Sequence, residues 1–164
     1  MGFYAGLGWQ AIAVAEDGGR VLLLSQAAVA NKPYHLPIED ITWEGCRLRQ
    51  WLNQGFFASL PERLRSQVVE TMIENPDNPH YQTPGGNPTS DRVFLLSLAE
   101  VEEYLPNRAD RVIAYPGSDG WWLRTPGNLA RNTAFVANNG AIRDLGCGIG
   151  RYVRAVRPAL WVIA

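Results

Sequence analysis

Residues 121–161 are the stretch that decides the fold, and they read WWLRTPGNLARNTAFVANNGAIRDLGCGIGRYVRAVRPALW. The stretch opens with two tryptophans and an Arg-Thr-Pro-Gly turn, and it closes on Val-Arg-Pro-Ala-Leu-Trp. Both ends carry large side chains that pack well in a core. The middle is rich in Asn, Arg, Asp and Gly and has neither helical nor strict strand periodicity, which is typical of loops on a rigid base. We therefore expect exposed loops held between two packed ends.

Four residues of the packed ends, Trp121, Trp122, Arg124 and Arg157, are predicted to belong to the scaffold. Tryptophan rings bury large areas when they pack in a core. Arginines in turn and strand motifs can donate to backbone carbonyls that loops leave unpaired. We therefore expect these four side chains to stay fixed while the neighbouring loops vary.

The composition is that of an ordinary globular protein. The chain has 164 residues, of which 46% are apolar, and its formal net charge is −1. We predict a single domain over residues 1–164, with no general attraction to nucleic acid. The apolar runs are far too short to span a bilayer and no secretory leader pattern is visible, so we expect no membrane insertion and a cytoplasmic location.

Cysteines and histidines are too few and too scattered to predict a catalytic or metal site. Cys46 and Cys147 are too few for a disulfide framework or a metal knuckle, and we expect Cys46 to be a buried thiol. His35 and His80 have no nucleophile or acidic residue at a useful spacing, and we expect His80 to be solvated in its loop. We therefore predict no enzyme activity, no cofactor and no metal ligand.

The first third of the chain predicts a β-hairpin and then a helix. Residues 9–15 and 20–25 are β-prone runs separated by Glu-Asp-Gly-Gly, which is a strong turn signal. Thr42 can cap a helix that Gly55 would end. The apolar face of this helix would carry Leu48, Trp51 and Leu52.

The middle of the chain predicts a second helix, a long loop, a strand and a short helix. Ser59 and Pro61 would open the second helix. Residues 74–91 read as a surface loop and residues 92–96 as a strand, and Ser97 begins a capping box for the short helix. One α+β domain is the simplest arrangement of these elements. The apolar ridge of the second helix, with residues four apart, would be Leu60, Leu64, Val68 and Met72.

Four motifs follow one another along the chain: WEGCRLRQWLN at 43–53, DRVFLLS at 91–97, WWLRTPG at 121–127 and VRPAL at 156–160. In this order they resemble a bacterial domain family of unassigned function that is placed with the C-type-lectin-like folds. The resemblance covers nearly the whole chain, and it departs at Cys46, where the family usually has a small hydroxyl residue. It implies a mixed, mostly antiparallel sheet with two flanking helices, paired first and last strands, and a loop-rich C-terminal half.

The resemblance also implies a function. Some members of this fold group are the variable proteins of diversity-generating retroelements, in which adenines near the C-terminal end of the coding sequence are mutated. Asparagine codons randomised at their adenines cannot yield Lys, Glu, Gln, Met or Trp. These five types account for 24 of the 164 residues, yet residues 128–160 contain none of them. Strand and turn segments also disfavour Lys, Glu and Gln, so the absence supports the resemblance only modestly.

A binding face is predicted between regularly spaced apolar pegs in the C-terminal segment. The pegs recur mainly at every seventh residue, and the side chains between them are expected on one exposed surface made by two consecutive loops. The pegs are Phe135, Val136, Ile142, Ile149, Val153 and Val156. The candidate ligand-binding residues are Asn128, Ala130, Arg131, Asn132, Arg143, Asp144, Leu145, Cys147, Gly148, Gly150, Arg151, Tyr152 and Arg154.

The predicted function is therefore a ligand-binding module that recognises an unknown protein or cell-surface ligand. Arg and Tyr, which are frequent in the predicted face, are good interface anchors. Two alternatives stay open: a relative of the formylglycine-generating oxidases, or a domain with a purely structural role. The oxidases rely on a pair of cysteines in the C-terminal part, whereas this chain has only Cys147 there. The sequence specifies neither the ligand nor the oligomeric state.

Overall fold

The computed structural model describes residues 6–164 as an α+β protein with three sheets and few helices. The strands are β1 (Trp9–Val14), β2 (Arg20–Ser25), β3 (Ala30–Lys32), β4 (Thr71–Ile73), β5 (Thr89–Asp91), β6 (Gly120–Pro126), β7 (Asn132–Ala137), β8 (Ile142–Gly148), β9 (Arg154–Val156) and β10 (Ala159–Ile163). Their orders in the three sheets are β1-β2-β10, β3-β9-β6-β7-β8 and β4-β5. The short α-helices are α1 (Arg47–Trp51), α2 (Phe57–Ser59), α3 (Glu62–Arg65) and α4 (Leu98–Tyr104).

The predicted β-hairpin is present, but the first and last strands do not pair with each other. β1 pairs antiparallel with β2, and Gly18 in the connecting turn has a φ of +69°, a conformation that glycine adopts without strain. The last strand, β10, pairs with the other side of β2. β2 lies between β1 and β10, and its Leu22 and Leu24 side chains are in the core.

The five-stranded sheet carries the C-terminal stretch that opens the sequence analysis. Its central strand, β6, is buried along its whole length, as the two tryptophans predicted. β6 pairs antiparallel with β7 and parallel with β9, while the pairs β7–β8 and β3–β9 are antiparallel. The sheet is therefore mixed and mostly antiparallel, and β8 lies at one edge.

The first helical segment is longer than predicted. α1 continues through a π-helical turn, Leu52–Phe56, into α2, so Gly55 does not end the helix. Gly55 lies against the ring of Trp51, with space for a Cβ at ordinary contact distance. The segment ends before Pro61 because the residue preceding a proline disfavours helical backbone, and Leu60 is extended.

The second predicted helix is wrong beyond its first turn. Only α3 is helical, and the last two residues of the predicted apolar ridge lie outside it. Val68 forms an isolated bridge with Val162, and Met72 lies in β4 with 65% of its surface exposed. The backbone N–H of Val69 donates to the carbonyl of Trp161 at 2.8 Å. Pairing with β10 therefore outweighs the helical spacing of these apolar residues.

The capping box of α4 is confirmed. Ser97 Oγ accepts from the backbone N–H of Glu100 at 3.2 Å, and the Glu100 carboxylate accepts from the backbone N–H of Ser97 at 2.8 Å. Residues 92–96, predicted as a strand, form an irregular run that is exposed at Arg92 and buried from Val93 to Leu96, and Phe94 makes one bridge to Ala159. No helix within residues 6–164 is long and apolar enough to cross a membrane.

The two tryptophans and two arginines assigned to the scaffold are buried, and each donates to backbone carbonyls. Arg124 donates to the backbone carbonyls of Leu95 at 2.7 Å and Glu74 at 2.8 Å and pairs with the Glu100 carboxylate. Trp121 and Trp122 are fully buried, and their indole N–H groups donate to backbone carbonyls. Arg157 donates to the carbonyl of Ser25 at 2.9 Å.

Candidate functional site

Three segments that are distant in sequence meet at one edge of the five-stranded sheet. The backbone N–H of Asn128 donates to the carbonyl of Leu145 at 2.9 Å, so the turn after β6 contacts β8. The N–H of Ile149 donates to the carbonyl of Arg131 at 3.1 Å, and the N–H of Ile41 donates to the carbonyl of Ala130 at 3.3 Å. We call the surface formed by residues 35–41, 128–132 and 142–153 the loop face.

Much of the loop face lies on an edge strand rather than in a loop, which corrects the expectation of two consecutive loops. Arg143, Asp144, Leu145, Cys147 and Gly148 belong to β8. The register between β7 and β8 shifts between Thr133 and Phe135, so residues 144–146 bulge out opposite Ala134. Gly146, with a φ of +77°, permits this bulge.

The structure places twelve of the thirteen candidate residues at or near the surface and buries the thirteenth, Arg154. Those that are exposed are Arg131, Arg143, Leu145, Arg151 and Tyr152. Those that are half-buried are Asn128, Ala130, Asn132, Asp144, Cys147, Gly148 and Gly150.

The predicted pegs are correct except for Val153. Ile149, Val156 and Val136 are buried, while Phe135 and Ile142 are half-buried against the core. Val153 has 50% of its surface exposed. Its neighbour Arg154 opens β9 and points inward instead, and the alternation of side chains along an extended chain then turns Val153 outward.

Arg154 is 7% exposed because its side chain lies across aromatic rings on the sheet. Its guanidinium carbon is 3.5 Å from the centroid of Phe135 and 5.7 Å from that of Trp122. Its Nε–H donates to the sulfur of Cys147 at 3.1 Å. The prediction that Arg154 is displayed on the surface is therefore wrong: the long stem and planar head of arginine suit a stacked, buried position.

Both thiols are free and poorly suited to act as nucleophiles. Burial raises the pKa of Cys46 to about 12, and the expectation of a buried thiol is confirmed. Burial also raises the pKa of Cys147, although its contact with Arg154 acts in the opposite direction. Because the thiolate is the reactive form, neither cysteine is activated near neutral pH.

Sequence reasoning missed the contribution of residues 35–41. The exposed side chains of Leu36 and Ile38 lie over Gly150: a Cβ at this glycine would approach Leu36 Cδ2 to 2.7 Å and Ile38 Cγ1 to 2.8 Å. The ring of Tyr152 lies near Gly148. An apolar Leu-Pro-Ile motif inside a proline-punctuated loop was the available signal, since such residues do not follow any core periodicity.

His35 fixes the base of this segment. It is buried, its Nδ1 accepts from the backbone N–H of Arg47 at 3.2 Å, and its Nε2 lies 2.9 Å from the Glu39 carboxylate. With Nδ1 acting as an acceptor, the ring proton is on Nε2 and is donated to Glu39. Asp40 forms an ion pair with Arg131 at 2.8 Å, which links the segment to the turn after β6.

Part of the loop at residues 74–91 is tied to the back of β8 rather than free. Asn78 is fully buried, and its side-chain amide donates to the carbonyls of Pro126 at 2.9 Å and Asp144 at 3.0 Å. His80, expected to be solvated, is largely exposed but pairs through Nδ1 with the Asp144 carboxylate. Within residues 6–164, no group of three or more His, Cys, Asp or Glu side chains is placed to hold a metal ion.

Comparison with known proteins gives a family. A search of curated proteins and a search of solved structures each found no match to the chain. A family model described as "Domain of unknown function (DUF6273)" matches residues 18–164, which include the whole loop face and all four quoted motifs. A family of unassigned function is what those motifs implied, although the match carries no link to C-type-lectin-like folds or to retroelements. The chain therefore belongs to the DUF6273 family of domains of unknown function.

Proposed function

We propose that this chain is a ligand-binding module with a C-type-lectin-like fold, whose loop face recognises a protein or a cell-surface ligand. One observation carries the proposal: three segments distant in sequence converge on the loop face, and their exposed side chains contribute little to the core. Surfaces of this kind, in which loops are positioned by a rigid scaffold, are common binding sites.

The scaffold and the loop face use different side chains, which supports a division of labour. Trp121, Trp122 and Arg157 are buried and donate to backbone carbonyls on other elements. The side chains of Arg143 and Arg151 are exposed and make no hydrogen bond or ion pair within residues 6–164. Substitution at such exposed positions usually changes stability by less than about 0.5 kcal/mol, so the loop face tolerates variation.

The exposed residues of the loop face are of types that bind proteins well. Tyrosine and arginine are enriched among interface residues that contribute most to affinity, and tyrosine orders only two side-chain torsions. Apolar side chains are also concentrated here. Of the large apolar residues that the structure exposes, those on the loop face are Leu36, Ile38, Leu129, Leu145, Tyr152 and Val153.

We assign binding without catalysis to this face. Burial raises the pKa values of Cys46 and Cys147, which disfavours the reactive thiolate near neutral pH. A binding role also agrees with the absence of Lys, Glu, Gln, Met and Trp from residues 128–160, which adenine-directed diversification of asparagine codons would produce.

A genomic comparison tests the diversification directly. We expect the gene to lie beside a reverse-transcriptase gene and a near-copy of the segment that encodes residues 128–160, with mismatches confined to adenines of that copy. Mismatched codons should coincide with the exposed positions, such as Arg143 and Leu145, and should spare the buried Val136 and Val156. A neighbourhood without such a copy, or mismatches spread over all four bases, would reject the diversification.

A further inference from the structure

Arg154 is a buried cation for which residues 6–164 supply no carboxylate. Its guanidinium makes one hydrogen bond, from Nε to the sulfur of Cys147, and its Nη1 is buried without a partner in the described residues. Sulfur is a weak acceptor, and an arginine presents five N–H donors. Stacking on Phe135 offsets part of the desolvation of this charge, but most of the hydrogen-bonding capacity remains unused.

Other cations are close to Arg154. The β3–β9 register places Lys32 directly opposite Arg154, and the β7–β8 register places Arg143 directly opposite Phe135, on which Arg154 stacks. Side chains directly opposite in antiparallel strands lie on the same face of the sheet, and like charges there repel. The Lys32 ammonium is held over the ring of Trp51 at 4.5 Å. The turn before β9 adds Arg151, whose guanidinium lies 5.8 Å from the ring of Tyr152.

The carboxylates of the loop face are already engaged elsewhere. Asp40 pairs with Arg131, Glu39 with His35, and Asp144 with His80. Within the described residues, none of the ion pairs includes Arg143, Arg151 or Arg154. A protein with a net charge of −1 therefore has three arginines without an ion pair within residues 142–156, and one of them, Arg154, donates to the half-buried thiol of Cys147.

We propose that Arg154, with Arg143 and Arg151, binds a carboxylate of an acidic segment in a partner protein. This inference rests on the proposed function of the loop face. An arginine presents paired N–H groups that match both oxygens of a carboxylate, and such charge-assisted pairs are strong where water is excluded. Arg154 supplies the partly dehydrated donor, and the exposed Arg143 and Arg151 attract the acid toward it.

The surroundings favour an acidic protein segment over a polyphosphate. Leu36, Ile38 and Tyr152 surround the turn beside the three arginines, so an apolar side chain next to the carboxylate would also be buried. The overall charge of the chain is near zero, whereas binding to nucleic acid is dominated by attraction between a basic surface and phosphates. The expected ligand motif is therefore an Asp or Glu beside a large apolar residue.

The test uses peptides selected from a random library on the immobilised full chain. We expect the selected peptides to carry Asp or Glu beside an apolar residue, and replacement of that acid by Asn or Gln to weaken binding by about tenfold or more. Arg154→Met, which keeps a long apolar stem, should weaken binding of the acidic peptide by a similar factor. The affinity for the peptide that carries Asn or Gln in place of the acid should stay unchanged. Arg63→Gln, at an exposed position on α3, is the matched control and should change neither affinity.

The alternative results separate this inference from the proposed function. Loss of binding in a variant with Leu145→Ser and Tyr152→Ser would show that the peptides bind the loop face. If that binding depends neither on the acidic residue of the peptide nor on Arg154, the carboxylate site is overturned but the proposed function is not. If inorganic phosphate displaces the acidic peptide at lower concentration than acetate does, the site is one for phosphate and the inference is overturned. Peptides whose affinity is unchanged by every loop-face variant would contradict both the carboxylate site and the proposed function.

Discussion

Two arginines three residues apart show how the scaffold differs from the region beside the loop face: Arg157 belongs to the scaffold, and Arg154 directly follows the last residue of the loop face. Both are buried, and both stack on an aromatic ring, Trp121 or Phe135. Arg157 donates to the backbone carbonyl of Ser25 at 2.9 Å, and burial lowers its pKa to about 10. Arg154 donates to a thiol and keeps an unpartnered nitrogen. Burial alone therefore does not distinguish these two arginines, whereas their hydrogen-bond partners do.

The largest loss of stability is expected from removing the indole ring of Trp122, which contacts both the scaffold and Arg154. Trp122 is fully buried, its indole N–H donates to the carbonyl of Lys32 at 2.8 Å, and its ring contacts Tyr34. Trp122→Ala should lower the free energy of unfolding by about 3–5 kcal/mol, measured by chemical denaturation. Trp161→Ala, at a half-buried position on β10, is the control and should cost less. Equal losses in the two variants would show that burial of Trp122 is not what stabilises the scaffold.

The two arginines themselves give the second comparison, with methionine as a replacement that keeps an apolar stem. Arg157→Met removes the donors to the carbonyls of Ser25 and Asp110 and should lower the free energy of unfolding by about 1–3 kcal/mol. Arg154→Met removes one bond to sulfur and a cation–π contact but also an unbalanced buried charge, so its change should stay within about 1 kcal/mol. Denaturation curves for both variants test this difference, and a larger loss for Arg154→Met would make that residue part of the scaffold.

How much of this contrast the sequence predicts depends on whether the deciding interactions are local. The hairpin and the capping box of Ser97 and Glu100 follow from neighbouring residues and are correct. The second helix fails because Val68 and Val69 pair with β10, nearly a hundred residues away. The apolar spacing around Val68 predicts a helix, but pairing with a distant strand determines the structure there, and the local sequence does not reveal that partner.

The sequence predicted the part of the loop face that lies in the C-terminal stretch, but it predicted neither the contribution of residues 35–41 nor the burial of Arg154. The apolar pegs located the exposed positions correctly at Arg143 and Tyr152. The burial of Arg154 was missed because stacking on Phe135 depends on the alignment of three strands. Leu36 and Ile38 were missed because they reach the face through tertiary contact with Gly150, more than a hundred residues later in the chain.

The buried thiol of Cys46 gives a third test, through the dependence of stability on pH. Burial raises the pKa of Cys46 from its ordinary value of 9.0 to about 12, so its stabilising contribution is complete below pH 9 and is lost as pH rises towards 12. Cys46→Ser keeps the acceptor for the N–H of Arg49 but does not titrate there. The loss of stability with pH above 9 should therefore be smaller in Cys46→Ser, by up to about 1.4 kcal/mol per pH unit. Identical alkaline slopes for the two proteins would contradict the burial of this thiol.

The smallest effect on stability is expected on the loop face. Replacement of Arg143, Leu145, Arg151 and Tyr152 together by serine removes four exposed side chains, and each change should cost less than about 0.5 kcal/mol. The measurement is the midpoint of thermal unfolding, compared with that of the unchanged chain. A fourfold variant that fails to fold would show that these side chains belong to the scaffold.

The central claim, that the loop face binds while the scaffold stays fixed, is tested most directly by selection from two libraries. One library randomises the exposed loop-face positions Arg131, Arg143, Leu145, Arg151 and Tyr152, and the other randomises exposed positions of the other two sheets, Val14, Met72 and Ile163. The measurement is the affinity of folded clones selected against a purified unrelated protein. We predict specific binders from the loop-face library and none from the control. Binders from the control alone, or a loop-face library that is largely unfolded, would contradict the account.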